Sequence, residues 1–234
     1  MKGKLYLIPI TLGESKIESV IPKQVIEKTI TIRHFIVENI RTTRRYLRLL
    51  DKNFPIDDTA FFELNKHTTA QQIETYLKPL LTGFDMGVIS EAGVPGVADP
   101  GAAVVELAHK NNIRVIPFVG PSSILMAVMA SGLNGQNFAF NGYLPVKSNE
   151  RVKHIKFLEK KSVHDRQSQL FIETPYRNNA MVEDILNSCL PNTKLCIACD
   201  ITLQSEFIKT DTIQNWRKHK PDINKRPSIF IIQG

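Results

Sequence analysis

The chain lacks long apolar runs, paired cysteines and the common nucleotide-binding and hydrolase signatures. Across 234 residues no stretch approaches the roughly 18 uninterrupted apolar residues of a membrane helix. The opening MKGKLYLIPIT has a short apolar run without the length or cleavage site of a signal peptide, so a cytoplasmic location is expected. Three cysteines, Cys189, Cys196 and Cys199, are too few for a disulfide scaffold. Cys196 and Cys199 form a lone CxxC, but its frame KLCIACDI reads as a buried strand. No second pair or histidine completes a zinc site, and no metal is expected. There is no GxxxxGK(S/T), which argues against a P-loop NTPase. The first strand is followed by Pro9-Ile10-Thr11-Leu12-Gly13, not GxGxxG, and neither GxSxG nor HExxH occurs.

What is present is a globular composition, 42% hydrophobic and 23% charged, which excludes disordered and fibrous classes. The formal charge is +7, unevenly spread. Residues 1–118 hold 15 Lys/Arg against 13 Asp/Glu, and residues 119–234 hold 15 against 10. Such an excess permits a polyanionic partner without requiring one.

Short apolar runs alternate with helical patterns. Residues 5–8, 34–37, 86–89 and 115–118 read as strands; 22–29, 41–50, 69–81 and 102–111 read as helices between them. That alternation predicts an α/β domain with a largely parallel sheet. Beyond it, 138–143, 170–173, 194–199, 203–208 and 228–233 read as strands, and 151–160 and 179–190 as helices, with a mixed sheet expected. The boundary is placed near Val119, giving domains 1–118 and 119–234.

Two strand-to-helix connections stand out. In SEAGVPGVADPG (90–101), Asp99-Pro100 suits a helix start. Gly93 and Gly96 allow positive φ and close approach of a ligand to the backbone. An ordinary capped connection explains Asp99-Pro100, but not a length of twelve where two to six residues are usual. The carboxyl end of a strand is also where open α/β sheets bind ligands. In FVGPSS (118–123), Ser122 or Ser123 can cap the helix 124–130. Its free amides suit an anion, and a capped core helix is an equal alternative. That helix, ILMAVMA, is apolar all round and expected to be buried, its methionines as core filler.

SEAGVPGVADPG, followed by VGPSS, NGYLP (141–145) and ETPYR (173–177), resembles the tetrapyrrole-methylase superfamily. Within it the order is most similar to the 16S ribosomal RNA 2′-O-ribose methyltransferase I family, whose loop typically reads S-D-A-G-T-P-G-I-S-D-P-G. Glu91, Val94, Val97 and Ala98 depart from that wording. The resemblance implies two α/β domains of the tetrapyrrole-methylase fold, with S-adenosylmethionine bound in the cleft between them, and a homodimer. It implies that Ser90, Glu91, Ala92, Gly93 and Val94 line the methionine or ribose end of the cofactor. Pro9 and Ile10 would approach from the first strand, and Ser122 and Ser123 from the second domain. Ile172 and Glu173 would border the adenosine pocket, and Ala198, Arg226 and Pro227 would reach the cofactor.

The acceptor side departs further. The family's A-E-D-T-R is here Val37-Glu38-Asn39-Ile40-Arg41, and its H-N-E is Leu64-Asn65-Lys66. Members also carry a further segment beyond the position of Gly234. Glu38 is the candidate base, with an ion pair to Arg41 as the alternative. Arg41 is the candidate for phosphate or oxyanion binding. Lone His67 reads as structural. Arg41, Arg44, Arg45 and Arg48 fall at i, i+3, i+4 and i+7, one helical stripe, with Ile40, Thr43, Leu47 and Leu50 as the docking face. The stripe is the candidate ribosomal RNA contact. Two further basic groups are Lys147, Arg151, Lys153, Lys156, Lys160 and Lys161, and Arg217, Lys218, Lys220, Lys225 and Arg226; solvated surface is the simpler reading for both. Tyr46 or Tyr143 can stack a splayed base or be a half-buried aromatic. The expected activity is methyl transfer from S-adenosylmethionine to a ribose 2′-hydroxyl of small-subunit ribosomal RNA. The alternatives are a methylase of this fold acting on a small molecule or protein, and a catalytically inactive cofactor-binding relative.

Overall fold

In the computed structural model the chain divides into two compact units, Met1–Ser122 and Ser123–Gly234. The structure describes residues 1–65 and 67–234. The family-signature position Lys66 lies outside the described residues.

The first unit runs β1 (Leu5–Ile8), α1 (Ile17–Val20), α2 (Lys23–Thr29), β2 (His34–Val37), α3 (Ile40–Leu50), β3 (Ala60–Glu63), α4 (Ala70–Tyr76), α5 (Lys78–Leu81), β4 (Met86–Ile89), α6 (Gly101–Lys110) and β5 (Val115–Pro117). Its sheet has the order β3-β2-β4-β1-β5 and every pairing is parallel. The period-two alternation of side chains sorts residues onto two cores. Leu5, Ile36 and Val88 pack with Ile73 of α4, Val104 of α6 and Leu77 between α4 and α5. Tyr6, Ile8, Phe35, Val37 and Ile89 pack with Tyr46 and Leu47 of α3. Connections leaving β1 run toward β2, and those leaving β4 run toward β5. The connections leaving these paired neighbours thus run in opposite directions over opposite faces of the sheet, and the carboxyl ends of such strands are where open α/β sheets bind ligands.

The second unit runs α7 (Ser123–Ser131), β6 (Phe138–Tyr143), α8 (Ser148–Asp165), β7 (Ser168–Ile172), a 3-10 turn (Pro175–Arg177), α9 (Asn178–Ser188), β8 (Lys194–Cys199), β9 (Phe207–Thr212), α10 (Ile213–Lys218) and β10 (Ser228–Gln233). Its sheet, β6-β7-β10-β8-β9, is mixed: β6 and β7 are parallel and the other pairs antiparallel. Helices α8, α9 and α10 cover one face through Leu158, Ile185 and Trp216. The three cysteines are free and buried, and burial raises the Cys189 thiol to about 12.

Several expectations shift. The unit boundary falls after Ser122 rather than at 118. The Phe118 amide donates to Leu7 O at 3.0 Å, and Gly120 is pressed so close to Pro9 that a Cβ there would lie 2.2 Å from Pro9 Cβ. The helix expected over 69–81 is interrupted at Leu77, and Pro79, which has no amide to donate, sits in the first turn of α5. β3 was not read in the sequence. The strand expected at 203–208 lies at Phe207–Thr212, because a turn occupies the preceding residues: Leu203 N donates to Asp200 O, and Thr202 N to the Glu206 carboxylate. α7 is not buried all round. Ala127, Val128 and Ser131 face inward, while Leu125 is 53% and Met129 82% exposed.

Candidate active site

The long loop after β4 is held by one of its own side chains. The Asp99 carboxylate accepts from the Gly96 amide at 2.9 Å and from the Gly101 amide at 2.7 Å, tying the loop to the start of α6. Asp99 thus satisfies orphan helix amides as expected, although Pro100 sits one residue before the helix rather than at its first position. Gly93 has φ +67°, and a Cβ there would lie 3.1 Å from both Leu12 Cδ2 and Pro121 O. Only glycine meets that conformation and spacing without strain. The Gly93 carbonyl accepts from the Ile10 amide at 2.9 Å. Pro9 O accepts from the Tyr46 hydroxyl at 2.9 Å. The structure therefore brings Pro9 and Ile10 to the loop bearing Ser90, Glu91, Ala92, Gly93 and Val94. Ser90 is buried and its hydroxyl donates to Ala92 O at 3.3 Å; Ala92 is exposed.

Glu38 follows β2 directly. Its Oε2 accepts from the Glu91 amide at 2.8 Å. The Glu91 carboxylate itself accepts from the Thr42 hydroxyl at 2.6 Å, so the longer side chain at this position reaches across to α3. Glu38, Asn39, Asn65, Glu91 and Asp99 line an open pocket of about 670 Å3. Burial, and then the Asp99 and Glu91 charges, push the Glu38 carboxyl above the usual carboxylate range against the Glu91 amide bond. Among the described residues no Glu38–Arg41 ion pair forms, so that alternative role is not observed.

Asn39 caps α3, its Oδ1 accepting from the Arg41 and Thr42 amides at 2.9 and 3.2 Å. The docking face holds Thr43, Tyr46 and Leu47, and Arg41, Arg44, Arg45 and Arg48 are all exposed. Tyr46 is buried and bonded to Pro9, so it is not a base-stacking residue; Tyr143 is exposed. His67 donates its amide to Asn65 Oδ1 at 2.9 Å.

In the second unit the register aligns Ile229 with both Ile172 and Ala198. Ile172, Glu173, Ala198 and Arg226-Pro227 thus share one end of the sheet. Glu173 is buried; its Oε1 accepts from Thr174 N and Arg177 Nη2, both at 2.6 Å. Its Oε2 is buried without a hydrogen-bond partner, with Arg151 Nη1 at 4.0 Å. Burial raises the Glu173 carboxyl, but the Arg177 and Thr174 bonds outweigh it and hold the group below its usual range. Arg226 is committed to Asp200 Oδ2 at 2.8 Å and Ser205 O at 2.6 Å. Ser122 closes the first unit, whereas Ser123 opens the second.

Two basic groups are partly structural rather than phosphate-facing. Arg151 is buried and pairs with Asp184 at 2.6 Å. Arg217 donates to Leu186 O and Cys189 O near the end of α9, and Lys220 pairs with Glu183. The sequence marked Arg151 only as basic. The Glu173–Arg177 spacing of i, i+4 was a usable signal for that pair, whereas nothing local linked Thr42 to Glu91.

A solved structure titled the methyltransferase CobJ superposes with a TM-score of 0.63 at 13% identity, covering 99% of this chain and 94% of that one. The protein has the fold of the tetrapyrrole methylases. No family model matches the chain. Ribosomal RNA small subunit methyltransferase I of Buchnera aphidicola subsp. Schizaphis graminum is 30% identical over 234 residues, 98% of this chain and 78% of the relative. That of Vibrio cholerae is 28% identical over 233 residues, 98% and 77%. The chain belongs to the ribosomal RNA small subunit methyltransferase I family.

Proposed function

We propose that this enzyme transfers the methyl group of S-adenosylmethionine to a ribose 2′-hydroxyl of small-subunit ribosomal RNA. The observation that carries this reading is Glu38, a part-buried carboxylate beside the open pocket, bonded to the Glu91 amide of the loop after β4, with a raised pKa and no cation partner among the described residues. The names of the relatives support the RNA acceptor.

The cofactor, when bound, supplies an electrophilic sulfonium methyl. Ser90, Glu91, Ala92, Gly93 and Val94, with Pro9 and Ile10, would hold its methionine or ribose end, chiefly through backbone. In Glu91 the carboxylate is already engaged by Thr42. The other assigned residues are Ser122, Ser123, Ile172, Glu173, Ala198, Arg226 and Pro227. The unpartnered Oε2 of Glu173 fits an amine or hydroxyl donor of a nucleoside. With the Arg226 guanidinium spent on Asp200, its contribution falls to backbone and packing.

Glu38 would accept the hydroxyl proton. A carboxylate whose pKa is raised is better matched to that task near neutral pH. Arg41, at the start of α3, would hold a phosphate or the developing oxyanion. The rest of the rate enhancement comes from fixing the acceptor oxygen in line. We further infer a homodimer, supported by exposed Leu125 and Met129, and a cytoplasmic location. No helix among the described residues is long and apolar enough to cross a membrane.

The three carboxylates around the pocket, Glu38, Glu91 and Asp99, favour a second reading, an amine-bearing small acceptor. The deciding experiment is transfer of labelled methyl to ribosomal subunits from a methylase-deficient strain, scored against total small-molecule extract. Label in small-subunit RNA is expected; label only in the extract refutes the RNA acceptor. No S-adenosylmethionine binding at millimolar concentration by calorimetry refutes both.

A further inference from the structure

α3 carries four exposed cations. Arg41, Arg44, Arg45 and Arg48 are exposed, and none of them is in an ion pair among the described residues. Like charges at i, i+3 and i, i+4 destabilise a helix, so this arrangement is kept at a cost. Other contacts restrain two of the arginines. Arg44 stacks 5.2 Å over the Phe61 ring, and Arg48 donates to Lys52 O at 3.3 Å.

The stripe also encloses something other than charge. Arg44, Arg45 and Arg48 ring an open pocket of about 520 Å3 whose remaining walls are Leu49 and Ile56. Leu49 is 71% exposed, whereas Ile56 belongs to the core of the first unit. A bare phosphate needs the arginines but gains nothing from an apolar wall. A planar, weakly polar group flanked by two negative charges uses both. Guanidinium planes stack on such groups and bind phosphate in the same fork geometry.

We propose that this pocket takes one unpaired nucleotide of the RNA, a neighbour of the nucleotide that is methylated. Its base lies against Leu49 and Ile56, and its flanking phosphates meet Arg44, Arg45 and Arg48. The helical rise puts Leu49 about 15 Å along α3 from Asn39, which lines the Glu38 pocket, so this is a flanking subsite and not the reacting one. The inference rests on the RNA-acceptor reading above, and it specifies single-stranded rather than duplex RNA at this face.

The test is fluorescence anisotropy of a labelled single-stranded RNA heptamer and of a duplex of the same sequence, with wild-type protein, Leu49→Glu and the double variant Arg44→Ala/Arg48→Ala. Leu49 is exposed, so its replacement leaves the fold intact, which circular dichroism verifies. Leu49→Glu should weaken the single strand by about ten- to a hundredfold, the worth of one buried leucine side chain, and the duplex less than twofold. The double variant should lower the salt slope for the single strand by about 1.4, two phosphates' worth. No effect of Leu49→Glu, an equal loss on the duplex, or no wild-type binding to the single strand would overturn the subsite. The methylation assay reports separately. Label in ribosomal RNA with unaltered Leu49→Glu binding sinks the subsite alone. Label absent from ribosomal RNA, with a Leu49-dependent single-strand affinity, sinks the acceptor assignment and the subsite's place beside a methylated nucleotide, leaving a single-strand binding pocket alone.

Discussion

Glu38 and Glu173 each stand one residue beyond a strand, β2 in one unit and β7 in the other, yet their carboxyl groups titrate in opposite directions. Glu38 is raised by burial and by neighbouring carboxylates, with one backbone amide as its bonded partner. Glu173 is more deeply buried, but Arg177 bonds it and Arg151 stands near. What differs is where the arginines went. In the second unit Arg151, Arg177 and Arg226 neutralise internal carboxylates. On α3 of the first unit the arginines are exposed, with no carboxylate partner among the described residues. A carboxylate left without a cation can take a proton, and cations left without carboxylates can take an external anion.

The largest test of that contrast is charge reversal on the outward stripe. Arg41→Glu with Arg45→Glu should lower RNA methylation more than about a hundredfold while calorimetric affinity for S-adenosylmethionine is unchanged. Equal loss of both would make the stripe structural. Next, Glu38→Gln should slow transfer by about 10^2 to 10^4, the usual worth of a general base, and abolish the acid limb of the pH–rate profile. Glu173→Gln should act instead on cofactor affinity and leave that limb in place.

Stability sharpens the comparison at a smaller scale. Arg151→Met removes the charged hydrogen-bond partner of part-buried Asp184 and should cost about 1.5–3 kcal/mol in urea unfolding. Arg48→Met, on the exposed stripe, should stay within about 0.5 kcal/mol. Comparable losses would erase the distinction between internal and outward arginines. Gly120→Ala, which drives a methyl group into Pro9, should cost about 1–3 kcal/mol.

The smallest effect is the pH dependence of stability, and it has opposite signs at the two glutamates. The folded pKa of Glu173 is lowered, so its contribution is present above the ordinary glutamate value of about 4.3 and lost as pH falls through the folded value. The folded pKa of Glu38 is raised, so its contribution is present below about 4.3 and lost as pH rises through the folded value. Unfolding of Glu173→Gln should lose sensitivity on the acid side. Glu38→Gln should be more stable than wild type at pH 7.

Much of the frame was legible because its signals are local. β1, β2, β4, β8 and β10 are apolar runs bounded by turns, and the Asp99 cap is a short-range device. β3 escaped because Ala60–Glu63 lies beyond Asp57-Asp58, in a stretch with no alternation, and it is a strand only by pairing with β2. β9 was misplaced because an edge strand of half-buried residues carries little apolar signal to mark where pairing begins. α7 looked buried from composition, yet which of its faces meets the sheet is set by packing against β9 and β10.

By itself the sequence determined the alternating α/β order, the twelve-residue loop and the spacing that puts four arginines on one face of α3. Each depends on residues close together in the chain. Tertiary structure alone decided what those residues do. It joined Glu38 to the Glu91 amide across 53 positions, reached from Glu91 to Thr42 across 49, and buried Arg151 against Asp184 across 33. A side chain's charge state and availability depend on its neighbours in space, so the same arginine and glutamate letters became an exposed stripe and a part-buried carboxyl in one unit and internal ion pairs in the other.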